Sequence, residues 1–497
     1  MRTCYLTYII YLLTASLLLA GCKKKYLDKP PDNQRTPKTV ADYSAILNGE
    51  GWNRDIYTQG SGVSLYFLDM LTPDIAENID TVHSDLVDGR GPYSAFYTWQ
   101  NYYDAQYDER HSPSSTLNDT WLGLYRIITA CNVITDAGQQ IQGNAADRQF
   151  LLGDACFNRA LAYYFLVNIF GHPYDPANPD DPMGIPIKTT STIENVNIPR
   201  STVGACYDQI LTDLLTATQC LSEAGKTSTV FHYSPAAVYL LYSRIYLYMH
   251  NWEQAVAYAD KCLAIHPVLY DISNKNFLSG NYYTSPFFTP QNPEIIYTYY
   301  YDLSASEVSI FGEGESFGFQ VAPALLQQYA TGDQRPPLFF YKNYYDQVSY
   351  VAYTFLAGGT YYNYSFRSAE AYLNRAEANA HLGETGKALE DINLLQRNRV
   401  KNVTPLSITD PQALLQAIAL QRRKELAFQL HSWFDLRRTD QPAITHYFTP
   451  VINDTLQARQ QFILQKNDPG YTLEIPAAAL QANPALKPLG LTTRLPQ

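Results

Sequence analysis

Two stretches of this chain share a pattern that closely packed helix pairs explain. Residues 234–266 open with Ser234-Pro235, an N-cap followed by a proline in the first turn, where the missing N–H is not needed. Two segments of helical period, 236–250 and 252–265, flank a tight His250-Asn251 turn. Ser243 in the first segment and Ala255 and Cys262 in the second put small side chains where the helices face each other, and Pro267 ends the unit. Small residues there let the two helices approach closely. Residues 366–399 repeat the plan, with Ala376 in the first helix, Gly383-Glu384 at the turn and Ala388 in the second. Each such pair leaves a face for the next pair to cover, so the pattern predicts a stacked helical scaffold.

The places of Ser243, Tyr246, Ala255, Cys262 and Pro267 match those of a tetratricopeptide unit. Further helices are predicted upstream. Residues 117–137 align Trp121, Leu124, Tyr125, Ile128, Cys131 and Asn132, and residues 148–170 align Leu152, Cys156, Arg159, Ala160, Tyr163 and Tyr164. Gly171-His172-Pro173 stops the second, a Pro/Asp-rich loop fills 175–186, and Arg200-Ser201-Thr202 opens another helix over 202–221. Between the two repeat units, residues 270–364 are rich in Gly, Pro, Asn and aromatics and have little helical period. A segment of that length inside a compact body is usually functional. The predicted fold is therefore mostly α, a tetratricopeptide-like helical-repeat superhelix with long irregular insertions. It divides into an N-terminal helical region, 22–230, and a C-terminal region, 231–497, that carries most of the insertions.

The N-terminus reads as an address. After Arg2, an apolar run from Tyr8 to Ala20 is too short to span a bilayer comfortably and has the layout of a secretory signal. It ends in Leu19-Ala20-Gly21-Cys22, which resembles a bacterial lipobox. That resemblance implies removal of residues 1–21 and lipidation of Cys22, and two or more acyl chains hold a protein stably on a membrane. Lys23, Lys24 and Lys25 follow, where surface-export signals tend to be acidic, and the Pro-rich stretch 29–37 reads as an extended spacer.

A net charge of −11 argues against nucleic acid, because a phosphate backbone needs a basic face. Cys131, Cys156, Cys206, Cys220 and Cys262 sit singly in apolar helical patterns and read as small buried hydrophobes. The compositional outlier is tyrosine, 42 against 5 Trp, a side chain with a flat apolar face and a polar tip that suits both sugar or peptide binding and helix packing.

In their order along the chain these pieces resemble the SusD/RagB family of outer-membrane nutrient-binding lipoproteins. The resemblance rests on Tyr26-Leu27-Asp28-Lys29-Pro30, on Trp121, Tyr125, Ile128 and Asn132, and on residues 154–164 (DACFNRALAYY) with Phe170-Gly171. Gly184-Ile185-Pro186-Ile187, 200–213, 233–248, 292–296 (NPEII) and Asp333-Gln334-Arg335 continue it, and 367–378, 422–438, Leu473-Glu474-Ile475-Pro476 and Asn483-Pro484 complete it. Gln421 and Gln429 stand where the family often has Glu, Leu430 and Ser432 replace its usual Gly and Arg, and 487–491 (KPLGL) departs from its usual ending. The resemblance implies four helix pairs, loops forming a ligand face, and a TonB-dependent β-barrel transporter of the SusC/RagA type as partner. Ligands in the family are mostly oligosaccharides and sometimes peptides.

Other chemistries find weaker support. Gly314-Glu315-Ser316-Phe317-Gly318 fits the G-x-S-x-G elbow of hydrolases, but that motif needs a strand before it and a helix after it, and 304–310 is a poor strand. The 9 His residues show no HExxH and no pair at ligand spacing, so no metal and no cofactor are expected. Acidic pairs such as Asp302/Glu307 and Glu313/Glu315 read as surface carboxylates, and His431 beside Trp433 reads as a packing residue. Arg422-Arg423-Lys424-Glu425 and Arg437-Arg438 read as a solvated helix face with internal ion pairs. Ligand contact is expected from aromatics in the two irregular regions, Trp99 and Tyr102 in the first and Tyr283, Tyr300 and Phe317 in the second, with Asn101 as a polar orienting group. The expected function is non-catalytic capture of an oligosaccharide at the outer membrane and its delivery to the transporter. The alternatives are a peptide-binding protein of the same fold, an envelope scaffold without a small ligand, and a hydrolase acting through Ser316.

Overall fold

The computed structural model describes residues 36–52, 63, 65–79, 91–100, 116–225, 229–275, 285, 287–289, 291–300, 318–342, 348–353, 364–452 and 455–497. Its frame is a succession of helices: α1 (Val40–Glu50), α2 (Thr116–Ala137), α3 (Ala145–Phe170), α4 (Val203–Ala224), α5 (Pro235–Tyr248), α6 (Trp252–Ile265), α7 (Ser368–His381), α8 (Thr385–Arg397), α9 (Pro411–Glu425) and α10 (Ser432–Arg438). Neighbours in this order from α1 to α8 pack on one another, and α7 also packs on α9, which is the stacked arrangement the small-residue pattern predicts.

Both predicted repeat units are present, as α5/α6 and α7/α8. The Ser234 side chain accepts from the Ala237 N–H to start α5, and Asn251 does the same for α6 from Gln254. Ser243, Ala255 and Cys262 are fully buried at the α5/α6 seam, where the Ser243 hydroxyl donates to the Ala255 carbonyl at 2.9 Å. Ala376 and Ala388 are equally buried in the second unit.

Helix α3 is the central strut. Residues 151–170 are buried without interruption, which explains why its apolar character runs all round instead of along a stripe. It starts three residues earlier than its period suggests because the Asn144 side chain caps the N–H groups of Ala146 and Asp147. Its approach to α4 leaves no room at Gly153, where an added Cβ would lie 2.0 Å from the Tyr233 hydroxyl and 2.7 Å from Cys220 Cβ. The three helices α2, α3 and α4 are joined by Arg159, whose guanidinium donates to Asp213 at 2.6 and 3.0 Å and to Asn132 Oδ1 at 2.7 Å. The cysteines 131, 156, 206, 220 and 262 are buried and free.

Two basic runs are not the solvated faces expected from the sequence. Arg422, Lys424, Glu425, Arg437 and Arg438 are buried, and of these runs only Arg423 keeps substantial exposure. One internal pair of the expected kind is present, Arg438 with Asp435 at 2.8 Å three residues before it, but the other acidic partners come from distant segments, which a local reading of helix spacing does not see. Arg438 pairs with Glu377 of α7 at 2.6 Å and Arg422 with Asp435 of α10 at 2.9 Å, while Arg437 donates to the Tyr471 and Gly171 carbonyls.

The largest buried charge cluster fastens the irregular insertion to the helices. Glu294, Asp333, Arg335, Arg367, Arg399 and Glu425 have side chains no more than 2% exposed. Arg399 reaches Glu294 at 2.6 Å and Glu425 at 2.9 Å, Arg367 reaches the same two at 2.8 and 2.9 Å, and Arg335 reaches Asp333 at 2.6 Å and Glu425 at 3.4 Å. Three cations thus meet three anions. Gln421 and Gln429 add neutral acceptors for Arg335 and Arg367, at 3.2 and 3.0 Å. Leu430 is buried and held at φ +65°, a region that favours the Gly usual in the family, and the Gln429 side chain bonded to Arg367 fixes the chain beside it. The changed ending 487–491 is tolerated because it is gripped through its backbone: the Lys487 carbonyl accepts from Arg200 at 2.9 Å, and the Leu489 N–H donates to Glu474 at 2.7 Å.

Candidate ligand-binding face

Small two-stranded sheets root the irregular segments. The strands are β1 (Ile75–Glu77), β2 (Ile295–Tyr300), β3 (Phe319–Val321), β4 (Phe340–Lys342), β5 (Tyr350–Ala352), β6 (Tyr364–Arg367), β7 (Ile444–Phe448), β8 (Val451–Ile452), β9 (Thr455–Leu456) and β10 (Gln460–Leu464). All pairings are antiparallel: β1 with β3, β2 with β6, β4 with β5, β7 with β10 and β8 with β9.

The register of these pairs brings loop roots together. Tyr300 lies opposite Tyr364, so the segments 301–317 and 354–363 depart from adjacent strand ends. At the other end of 301–317, the Gly318 carbonyl accepts from the Asn78 N–H at 2.9 Å, next to where 80–90 begins. The N-terminal aromatic cluster reaches the same edge. Tyr97 packs edge-on against Phe319 with centroids 4.9 Å apart, and its hydroxyl accepts from the Glu77 N–H at 3.1 Å. Two aromatic regions far apart in sequence are therefore anchored side by side at their described ends.

The strap Tyr97–Gln100 is tied down from several sides. Trp99 adopts a left-handed φ of +50°, and its indole N–H donates to the Leu71 carbonyl at 3.0 Å. The Gln100 amide exchanges two hydrogen bonds with the Arg494 backbone at 3.1 and 3.2 Å. His446, on the buried face of β7, lies between the rings of Tyr97 and Trp99, at centroid distances of 4.1 and 4.3 Å. Its Nδ1 is 2.7 Å from the Tyr97 carbonyl oxygen and its Nε2 3.0 Å from that of Thr72. Burial holds its imidazole down at about 4, against the pull of the two carbonyls, so the ring is neutral at neutral pH. Burial pushes the Tyr97 phenol up for the same reason. Nearby Asp69 is raised by burial and by the Asp74 carboxylate. The Glu77 carboxylate accepts from the Thr449 N–H at 2.6 Å and its hydroxyl at 3.0 Å, tying β1 to the end of β7.

Of the expected contacts, Trp99 is only 3% exposed and engaged on its ring and its N–H, so the structure makes it an anchor of the strap and not a free ligand platform. Tyr300 closes β2 opposite Tyr364. Asn101, Tyr102, Tyr283, Phe317 and Cys22, the expected lipidation site, lie outside the described residues. The residue that sequence reasoning missed is His446. Its inward place shows only in the burial along β7, with Ile444 and His446 inside and Thr445 and Tyr447 outside, because the sequence Ile-Thr-His-Tyr-Phe has no apolar alternation of its own. After the 314–318 motif the chain enters strand β3 directly, where a nucleophile elbow needs a helix, and residues 301–317 lie outside the described residues. Among the described residues no three His, Cys, Asp or Glu side chains converge as a metal site needs, and no helix is long and apolar enough to cross a membrane.

The described residues thus form a helical-repeat frame in which short paired strands fix the ends of the irregular segments. Comparison with known proteins places it in a family. A family model described as starch-binding associating with outer membrane matches residues 25–247, and the SusD family model matches residues 314–488. The chain belongs to the SusD/RagB family. It is 26% identical to the SusD-like protein P2 of Formosa agariphila, over 88% of this chain and 91% of that protein. Among solved structures, a SusD-like carbohydrate binding protein from Bacteroides vulgatus superposes with a TM-score of 0.61 at 22% identity, covering 90% of this chain and 97% of that one. A SusD superfamily protein from the same organism gives 0.65 at 18% identity, with 91% and 99% covered.

Proposed function

We propose that this protein is an outer-membrane lipoprotein, anchored through Cys22, that captures oligosaccharides at the cell surface without catalysis and delivers them to a TonB-dependent transporter of the SusC/RagA type. The observation that carries the reading is the joining of two aromatic regions, one entering at Gln100 and one spanning 301–317, at a shared strand edge on a SusD-family frame. Sugar rings stack on flat aromatic faces and are oriented by a few polar groups, which suits Tyr102, Tyr283, Tyr300 and Phe317 with Asn101. Trp99 anchors the strap from which Asn101 and Tyr102 follow in sequence. The relatives named for carbohydrate binding support a glycan as the ligand class.

The test is retention of the chain lacking residues 1–22 on a panel of immobilised polysaccharides beside an immobilised protein digest. Retention by one glycan class, weakened by Tyr102→Ala and Tyr300→Ala, supports the reading. Retention by peptides alone reassigns the ligand, and retention by neither points to an envelope scaffold. Turnover of a retained glycan that disappears in Ser316→Ala would replace capture by hydrolysis.

A further inference from the structure

We propose that His446 is a positioning residue for ligand capture: it clamps the strap Tyr97–Gln100 and thereby sets the place and direction of the chain at Gln100, after which Asn101 and Tyr102 follow in sequence.

The argument is geometric. Tyr97 and Trp99 are separated by one residue, yet both rings lie against the same imidazole, tilted from it by only 10° and 19°. On a continuing right-handed helix side chains two apart point in nearly opposite directions, so the helix that ends at Tyr97 gives way to a local reversal of hand before both rings reach one imidazole. The left-handed φ of +50° at Trp99 supplies that reversal. For a bulky residue this conformation is disfavoured by about 1–3 kcal/mol and persists only where the surroundings over-determine it. Here those surroundings are the imidazole face, the Leu71 carbonyl on the indole N–H and the Arg494 backbone on Gln100.

The imidazole is suited to this place in a way that a phenyl ring is not. It fills the gap between two aromatic rings and also presents polar edges to the Tyr97 and Thr72 carbonyls, which lie on separate stretches of chain. A neutral ring carries a single N–H, so it serves one carbonyl in each tautomer. Since Thr72 leads into β1 and Tyr97 ends the preceding helical turn, His446 links β7, the entry to β1 and the strap. The charged groups around this site are the Glu77 carboxylate, bonded to Thr449, with Arg459 3.9 Å from it, and Asp74, paired with Arg423. None of them lies within bonding distance of His446, whose polar partners are the two carbonyls.

The step from strap to ligand rests on the proposed function, because it needs Asn101 and Tyr102 to touch the glycan. The experiment therefore has one arm that uses no ligand. The chain contains 5 Trp, so labelling with 5-fluorotryptophan gives five ¹⁹F resonances, with that of Trp99 assigned through Trp99→Phe. His446→Ala is expected to move the Trp99 resonance, leave those of Trp121 and Trp252 in place, and raise amide exchange over residues 93–100 without changing it in α5–α8. His446→Phe keeps the stacking surface and is expected to fall between His446→Ala and the wild type, and it serves in its place if His446→Ala does not fold. The second arm measures affinity for the glycan retained by the wild type, and about a 10-fold loss in His446→Ala with partial recovery in His446→Phe is expected, equivalent to about 1.4 kcal/mol.

An unmoved Trp99 resonance, or all five moving together, overturns the clamp. A moved Trp99 resonance with wild-type affinity overturns its role in capture. If the wild type binds no glycan, the ligand reading falls, and the ¹⁹F and exchange arm alone decides whether His446 holds the strap.

Discussion

Replacing Glu425 by Gln tests the buried charge cluster at its centre. The Glu425 carboxylate meets Arg399 and Arg367 at 2.9 Å and Arg335 at 3.4 Å. The substitution conserves volume but leaves three guanidiniums facing two carboxylates, and it turns one acceptor oxygen into a donor aimed at a cation. Removing one partner from a buried ion pair destabilises by about 3–5 kcal/mol. The acid–base behaviour of the group gives a similar figure. Burial pushes the Glu425 carboxyl up, and the Arg399 and Arg367 guanidiniums more than reverse this, holding it at about 2 instead of 4.5. That gap corresponds to roughly 3 kcal/mol. Because the folded-state value is depressed, this stabilisation is whole above pH 4.5 and is lost as pH falls toward 2. The assay is urea unfolding at pH 7 of the chain lacking residues 1–22, followed by far-UV circular dichroism. Glu384→Gln is the control, since Glu384 and Lys387 form an exposed pair at 3.3 Å and its loss is expected to cost less than about 0.5 kcal/mol. Adding Arg399→Met to Glu425→Gln restores two cations against two anions and is expected to recover part of the loss. A Glu425→Gln protein within about 1 kcal/mol of the wild type would refute the reasoning, because the cluster would then be relaxed or hydrated.

Three further outcomes are expected. Gly153→Ala overpacks the α3/α4 seam and destabilises by about 1–3 kcal/mol; Tyr233→Phe, which removes the hydroxyl 2.0 Å from the new Cβ, restores part of it, and denaturation of the two variants and the double variant checks this. His446, held at about 4 by burial, gives stability that is whole above pH 6.5 and is lost as pH falls from there to 4, by roughly 3 kcal/mol, because the unfolded chain takes up the proton first. Urea midpoints at pH 7 and pH 4.5 are then expected to differ less in His446→Phe than in the wild type, and equal differences would count against the assignment. The five buried thiols, each pushed up by burial, with Cys156 and Cys262 at about 12 and Cys206 and Cys220 at about 11, are expected to resist a thiol reagent in the native chain lacking residues 1–22. All five react once it is denatured, and fewer than five then would reveal a disulfide.

The helical frame was legible because its signals are local. Ser234-Pro235, the small residues at 243, 255 and 262 and the matching alanines at 376 and 388 each declare a cap or a seam within one or two turns. The buried arginines were not legible, since Arg422 and Arg438 look like surface residues until Glu377 and Asp435 are placed beside them by tertiary packing. The ligand face was half legible. The two aromatic regions were visible as composition, and their meeting at Tyr97 and Phe319 follows from the fold. Trp99 shows the limit of such reasoning: an aromatic residue in an irregular stretch has the same sequence signature whether its ring faces a ligand or, as here, a buried imidazole.

The six-charge cluster also bears on how this architecture can change. Its members come from segments on both sides of the irregular insertion and from the helices behind it, and any shift in docking would strand a charge in a dry interior. In that sense it keys the insertion to one seating, and a shifted docking is expected to cost about the 3–5 kcal/mol of a broken buried pair. The loops beyond that seating are then free to diverge in length and composition without loosening their base. A loop graft between proteins of this build would keep Glu294, Asp333, Arg335, Arg367, Arg399 and Glu425 and exchange 301–317 or 354–363, altering what is recognised while conserving how the recognising surface is held.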